Sequence, residues 1–282
     1  MAQSGGVVLA GGWMALELPA LNLRAASIWV EGTRIGYAEA GEGREILLVP
    51  GWSLPPRTYA HSVASLASRG FRVVIPEIYG SRARFDLSGG ICTAAGLLAS
   101  FASAVFRGRS FDLVGHSLGG GFSVCLAAHH PEEIRRLVLV SSIGDPTWTD
   151  RAGRPSRLSQ RPLQDWAGAF VADMAKTRER GRNVPRVIAG SIGELGRNPG
   201  RVLQCAMLAR RADLRPELGK IASAGIRSLA IWTRDDVVIP RESFVSLAGQ
   251  LGASTLELPG SHGWIFTSAE EFAAVVGDFL LD

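Results

Sequence analysis

Cysteine is scarce in this chain of 282 residues, which excludes a fold stabilised by a dense disulfide framework. The three cysteines, Cys92, Cys125 and Cys205, are an odd number, lie far apart and form no CxxC motif. Each lies in apolar sequence, where a buried free thiol packs like a small hydrophobic side chain. We therefore expect free thiols and a reducing, cytoplasmic location. The length and the 46% of apolar residues suffice for a large core without cross-links.

The sequence also has no apolar run long enough to cross a bilayer. The segment up to Leu16 carries no charged side chain, but it falls short of the roughly 20 apolar residues that a spanning helix needs. It has no basic start, Glu17 interrupts it, and the first arginine is Arg24, so it does not match an export signal. We expect residues 1–26 to be an N-terminal extension, and no transmembrane segment.

Lysine is rare, and the basic charge is unevenly distributed. Only Lys176 and Lys220 are lysines, and the other basic residues are arginines. Residues 143–228 hold 16 Lys and Arg against 8 Asp and Glu, a net charge of +8, whereas the rest of the chain is net acidic. Neither interleaved aromatic residues nor a reading helix accompanies the basic segment, so we expect no nucleic-acid partner. An arginine-rich solvated surface is the expected role, and a face that attracts anionic substrates, partners or a membrane is the alternative.

Short β-branched or apolar runs alternate with helical stretches along most of the chain, which predicts an α/β fold with a mostly parallel twisted sheet flanked by helices. The alternation stops at Ser142 and resumes near Ser228, and six prolines interrupt the helical pattern between them. That stretch is too long for a loop in a compact domain. We predict a core from residues 27–142 and 228–282, and a helical cap inserted at 143–227, called the cap segment below.

The motif Gly115-His116-Ser117-Leu118-Gly119 directly follows a predicted strand and opens a predicted helix. A serine on such a tight turn is held in a strained conformation with its hydroxyl clear of the sheet, and small residues on both sides let the turn close. The helix N-terminus adds positive potential. Ser117 is therefore the candidate nucleophile.

A serine hydroxyl needs a base at neutral pH, and histidine has the suitable basicity. Among the five histidines, His61 falls within a predicted helix, His129 and His130 end one, and His116, beside the candidate nucleophile, is expected to point away from it. His262 remains, in a glycine-containing loop after the last predicted strand. It is the candidate base.

The imidazole needs a carboxylate behind it to fix its tautomer and stabilise its cation. Asp235 and Asp236 follow the predicted strand that ends at Trp232, and we favour Asp236 over Asp235. Asp145, after an earlier strand, is a further candidate.

Ser117, Asp236 and His262, each after a strand and in this chain order, resemble the α/β-hydrolase fold family. The stretch from Trp232 to Pro240 is similar to the family's W-G-x-x-D-x-x-x-P motif, whose Asp aligns with Asp236. Val49-Pro50-Gly51-Trp52 resembles the family's His-Gly-x oxyanion loop, which implies substrate binding by the backbone N–H groups of Trp52 and Leu118.

Two residues depart from the family pattern. Pro50 replaces the usual His, and Glu77 stands where relatives have Asp. Because Ser117 replaces the Asp nucleophile of haloalkane dehalogenases and soluble epoxide hydrolases, those activities are not expected.

The expected function is a serine hydrolase that cleaves a carboxylic ester with a small or medium acyl group through an acyl-enzyme. Thioester, lactone or carbon–carbon hydrolysis, cofactor-free perhydrolysis, and a non-catalytic ligand-binding role are the alternatives. No metal or organic cofactor motif is present, so we expect none, and the expected partner is a small acyl substrate. Candidate apolar walls of the substrate site in the cap segment are Trp148, Trp166, Phe170 and Met207.

Overall fold

The structure is a computed structural model that covers most of the chain. The residues it describes are 23–52, 54–78, 88–150, 152–162, 164–166, 168–169, 172–173, 193, 196 and 199–282. The candidate wall residue Phe170 lies outside these residues, as does most of the predicted N-terminal extension.

An eight-stranded sheet forms the centre of the described fold. Its strands, in the order in which they neighbour one another, are β1 (Arg24–Val30), β2 (Thr33–Ala40), β4 (Phe71–Pro76), β3 (Arg44–Val49), β5 (Phe111–His116), β6 (Ile134–Val140), β9 (Ser228–Thr233) and β10 (Ser254–Leu258). The β1–β2 hairpin turns at Glu31 and Gly32 and pairs antiparallel with β4, and every other pairing in this sheet is parallel. The predicted fold class is therefore confirmed. Two further strands of the described residues, β7 (Thr147–Thr149) and β8 (Pro155–Arg157), form a separate antiparallel pair.

Helices cover both faces of the sheet, because side chains that alternate along a strand point to opposite faces. Ile46 and Leu48 of β3 pack with the helices Ala60–Ala67 and Ala269–Leu281. Leu47 and Val49 pack with the helices Ile91–Phe106 and Leu118–His129 on the other face. The stretches Ile46–Val49 of β3 and Leu137–Val140 of β6 are apolar throughout, as expected for burial on both faces. The helices with defined bounds are α1 (Ala60–Ala67), α2 (Ile91–Phe106), α3 (Leu118–His129), α4 (Pro199–Arg211), α5 (Arg215–Ser223), α6 (Arg241–Leu251), α7 (Trp264–Thr267) and α8 (Ala269–Leu281).

The described part of the cap segment begins with a small antiparallel hairpin, β7–β8, and ends with α4 and α5. Helix α5 packs against α3 and α6 beside the main sheet. The division of the chain into a core and an inserted cap stays a prediction. Among the described helices, none combines the length and apolar character needed to cross a membrane.

A disulfide joins Cys92 of α2 to Cys125 of α3, so the prediction of free thiols is wrong for these two cysteines. The helices pack side by side and bring the two Cα atoms to 5.0 Å, although the residues are 33 positions apart in sequence. Cys205 is a buried free thiol, and burial raises the pKa of this thiol to about 11. With two of the three cysteines joined in a disulfide, the cysteines no longer indicate a reducing compartment.

Reduction of the disulfide is expected to lower the free energy of unfolding by about 3–4 kcal/mol, because the loop it closes is then free in the unfolded chain. Denaturant unfolding with and without reductant measures this difference. Thiol titration of the denatured protein should find one free thiol without reductant and three after reduction. Three thiols without reductant would contradict the disulfide.

Candidate active site

Ser117 is placed on a tight turn between β5 and α3. Its φ of 54° and ψ of −121° form a conformation that non-glycine residues rarely adopt. The turn is fixed on both sides, because Ser117 N–H donates to the Val140 carbonyl at 3.0 Å and the Ser117 carbonyl accepts from Ile143 N–H at 3.2 Å. A Cβ added to Gly119 would overlap the carbonyl oxygens of Val49 and Pro50. Glycine at that position therefore lets α3 begin close to the end of β3.

His262 reaches Ser117 from the loop between β10 and α7. Its Nε2 lies 3.0 Å from Ser117 Oγ, and its Nδ1 lies 2.9 Å from Asp236 Oδ2. The His262 side chain and the Asp236 carboxylate are both buried. The structure thus brings together the three side chains that the sequence nominates, in one hydrogen-bonded series.

The Asp236 carboxylate is oriented by its own loop. Its Oδ1 accepts from the backbone N–H groups of Val238 and Ile239 at 2.8 and 2.9 Å, which leaves Oδ2 facing His262. Asp235 is different, because its backbone N–H bonds to the Gly260 carbonyl and its side chain is not in the series with His262.

Asp145, the further candidate for the acid, forms hydrogen bonds with residues other than His262. Its buried carboxylate accepts from Thr147 N–H at 2.8 Å, from the Ser246 hydroxyl at 2.8 Å and from the Gln250 amide at 2.5 Å. These bonds attach the chain after β6 to α6. The structure does not bring Asp145 to His262.

Trp52 and Leu118 flank Ser117 from two directions. Leu118 follows it as the first residue of α3, where the backbone N–H groups have no partner within the helix. Trp52 follows Gly51, whose added Cβ would lie 3.3 Å from Ser117 Cβ, so the loop after β3 runs directly past the serine.

A buried chain of hydrogen bonds beneath Ser117 links the loop after β3 to the loop that carries His262. Gly51 N–H donates to the Tyr59 hydroxyl at 2.7 Å, and this hydroxyl lies 2.8 Å from His116 Nδ1. His116 Nε2 lies 3.3 Å from the His262 carbonyl, which can only accept, so Nε2 carries the proton and Tyr59 donates to Nδ1. Burial, with a further effect of nearby His262, lowers the pKa of His116 well below its ordinary value and keeps this ring neutral.

Two carboxylates act on the basicity of His262. Burial disfavours its charged form, but Asp236, through its charge and hydrogen bond, and Asp173, through its charge, outweigh burial and raise the pKa of His262. Asp173 lies in the cap segment, and its Oδ1 accepts from the His262 backbone N–H at 2.7 Å. Neither Asp173 nor Tyr59 was nominated by the sequence, because each is recognisable only by a contact made far along the chain.

The candidate wall residues of the cap segment differ in their surroundings. Trp166 stacks under the Arg161 guanidinium, with 5.1 Å from Cζ to the ring centre, and Met207 is half-buried on α4. Trp148 lines a groove of about 520 Å³ together with Arg161 and Val237. Ser117 and His262 do not line this groove, so it is separate from the series of three side chains.

One group of potential metal ligands lies in the described part of the chain, at His130, Glu132 and Glu133, with ligand atoms within 4.8 Å of one another. It follows the C-terminus of α3, whereas Ser117 precedes the N-terminus. A helix of this length separates its ends by about 18 Å, so this group has no contact with Ser117.

Known proteins share this architecture across different chemistries. The chain is 27% identical to the 2-hydroxymuconate semialdehyde hydrolase of Pseudomonas sp. (strain CF600), over 89% of this chain and 92% of the relative. Two solved structures share the fold: an esterase from Exiguobacterium antarcticum (TM-score 0.71, 19% identity, 90% of this chain and 97% of that one) and a bromoperoxidase from Bacillus anthracis (TM-score 0.68, 20% identity, 92% and 97%).

The sequence model of the alpha/beta hydrolase family matches residues 46–275, which span most of the chain. This match covers Ser117, Asp236 and His262, as well as the strands that carry them. The chain therefore belongs to the alpha/beta hydrolase family.

Proposed function

We propose that this protein is a serine hydrolase that cleaves a carboxylic ester with a small or medium acyl group. The observation that carries the proposal is the unbroken series Ser117 Oγ, His262 Nε2, His262 Nδ1 and Asp236 Oδ2, with contacts of 3.0 and 2.9 Å. A nucleophile, a base and an orienting acid within hydrogen-bond reach form the arrangement needed for acyl transfer.

In the first half-reaction, Ser117 Oγ attacks the ester carbonyl while its proton moves to His262 Nε2. The negative charge that develops on the carbonyl oxygen is stabilised by the backbone N–H groups of Trp52 and Leu118, each contributing about 3 kcal/mol at the transition state. When the tetrahedral intermediate collapses, the bond to the alcohol oxygen breaks, and His262 gives its proton to the departing alcohol. The product is an acyl group on Ser117.

In the second half-reaction, water attacks the acyl group and transfers a proton to His262 Nε2. Collapse of the second tetrahedral intermediate releases the carboxylic acid, and the proton returns to Ser117 Oγ. Asp236 keeps the Nδ1 proton facing Oδ2 throughout and stabilises the imidazolium that forms twice per cycle. General base catalysis of this kind contributes about 10²- to 10⁴-fold.

Carbon–carbon bond hydrolysis is the second candidate, and the relative from Pseudomonas sp. favours it. That relative is named for 2-hydroxymuconate semialdehyde, a compound whose name contains no ester. Thioester, lactone and perhydrolysis chemistry use the same nucleophile and base, and a ligand-binding protein of this fold would use neither.

A substrate panel distinguishes these candidates. We expect p-nitrophenyl acetate, butyrate and hexanoate to have higher kcat/KM values than p-nitrophenyl decanoate, a thioester, a lactone or a 2-hydroxy-6-oxodienoate. The Ser117→Ala variant supplies the background rate for these labile esters. A highest kcat/KM on the oxodienoate, thioester or lactone would overturn the ester assignment in favour of that chemistry. No turnover of any compound would support the binding protein.

A further inference from the structure

The loop that carries His262 is fixed through its backbone polar groups, and most of their partners come from the predicted core. The Gly260 carbonyl accepts from Asp235 N–H at 2.8 Å, and the Ser261 carbonyl accepts from the Thr233 hydroxyl at 2.9 Å. The His262 carbonyl accepts from His116. These bonds fix the loop from the side of the sheet.

The backbone N–H of His262 has its partner on the opposite side, in the cap segment. Asp173 Oδ1 accepts this bond at 2.7 Å, across 89 positions of sequence. Asp173 is only 4% exposed, and a buried carboxylate is costly to desolvate. Asp173 therefore links the cap segment to the backbone of the candidate base through a buried, charge-assisted hydrogen bond.

We propose that Asp173 is a positioning residue for His262, which reaches from the cap segment to fix the backbone of the base and thereby the direction of its imidazole. The inference rests on the proposed function in one respect, which is that His262 acts as the general base. It assigns a residue of the cap segment to the acyl-transfer machinery, besides the three side chains of the series.

The geometry explains why one backbone bond matters. The imidazole must keep Nδ1 at 2.9 Å from Asp236 Oδ2 and Nε2 at 3.0 Å from Ser117 Oγ at the same time. A displacement of the His262 backbone moves both nitrogens together, so rotation of the ring cannot restore both contacts. Misplacement of a reacting group by about 1 Å can lower the rate by about 10²-fold.

Asp173 also brings a second negative charge to the imidazolium. Among the described residues, the titratable groups facing His262 are Asp236 from the loop after β9, Asp173 from the cap segment and neutral His116 from the end of β5. Because a neutral His262 is required as base, kcat/KM rises with pH through the pKa of His262. Removal of the Asp173 charge makes the imidazolium less stable, so this acidic limb should move to lower pH.

Three variants separate the hydrogen bond from the charge. Asp173→Ala removes both, whereas Asp173→Asn keeps an oxygen that can accept from His262 N–H. Asp213→Asn is the control, because it removes a carboxylate of the same segment that bonds Arg157 and Arg215. Each variant is assayed on the best ester of the panel for kcat, KM and the pH dependence of kcat/KM, with thermal unfolding as a check of folding.

We expect Asp173→Ala to lower kcat by about 10- to 100-fold with little change in KM. Asp173→Asn should recover most of kcat and still move the acidic limb to lower pH, and Asp213→Asn should resemble wild type. Wild-type kcat and an unmoved limb in both Asp173 variants would overturn the inference. Equal loss of kcat in both, in proportion to a loss of folded protein, would overturn it as well.

NMR titration of His262 in protein with ¹⁵N-labelled histidine supplies a readout that needs no turnover. We expect the midpoint of His262 to fall in Asp173→Asn relative to wild type, because the charge is lost while the acceptor is kept, and an unchanged midpoint would contradict the effect of that charge. The Nδ1 proton of His262, which bonds Asp236, reports the position of the ring in the same samples. We expect its signal to be lost or shifted in Asp173→Ala and kept in Asp173→Asn, and an unchanged signal in Asp173→Ala would overturn the positioning. If wild type turns over none of the panel but this signal changes as expected, the proposed function fails and the positioning by Asp173 stands.

Discussion

Ser117→Ala is expected to lower kcat on the best ester by about 10³-fold or more, because it removes the atom that forms the bond to the acyl group. Alanine fits the space that serine occupies, and the backbone bonds of residue 117 to Val140 and Ile143 do not involve the side chain. The folded structure should therefore persist. Steady-state kinetics of purified wild type and variant measure the loss.

Two controls make this result interpretable. Far-UV circular dichroism and the thermal midpoint of Ser117→Ala should match those of wild type. His61→Ala replaces a half-buried histidine of α1 and is expected to leave kcat close to wild type. Activity retained by Ser117→Ala would refute the assignment of the nucleophile.

Asp236→Asn is expected to lower kcat by about 10³- to 10⁴-fold, because the amide forces the wrong tautomer on His262. Oδ1 of residue 236 must accept from the N–H groups of Val238 and Ile239, so the amide oxygen takes that position and the NH₂ group faces His262 Nδ1. Nδ1 then accepts, the proton moves to Nε2, and Nε2 no longer accepts the proton of Ser117. Kinetics at several pH values measure the loss.

Asp145→Asn is the matched control for this variant. Its carboxylate is as buried as that of Asp236, but it bonds Thr147, Ser246 and Gln250. We expect a loss of about 1–3 kcal/mol in the free energy of unfolding and a kcat close to wild type. The reverse pattern, with Asp236→Asn active and Asp145→Asn inactive, would show that the acid is misassigned.

The strands and helices of the core could be read from the sequence because their signals are local. The apolar run Leu137–Val140 indicates a strand buried on both faces, and it forms the second half of β6. The helix predicted after Ser117 is observed as α3, from Leu118 to His129. Ser117 could be identified as a candidate for the same reason. A glycine-rich motif between a strand and a helix indicates a tight turn from adjacent residues alone.

Contacts between distant segments could not be read in this way. Cys92 and Cys125 become neighbours only when α2 packs against α3, and no spacing rule anticipates that pairing. In the sequence, Tyr59 cannot be distinguished from any other aromatic residue of the core. Only the folded structure shows that its hydroxyl bonds to Gly51 and His116. Asp173 lies where prolines interrupt the alternating pattern, so the sequence gives no register that would point its carboxylate towards the His262 loop.

In the proposed mechanism, His262 activates Ser117 in the folded protein. Incubation of the folded wild type with a fluorophosphonate, followed by peptide mass spectrometry, tests this directly. We predict one adduct, on Ser117, that is absent after heat denaturation and forms much more slowly in Asp236→Asn. A folded protein that gains no adduct, or gains one on another residue, would contradict this mechanism.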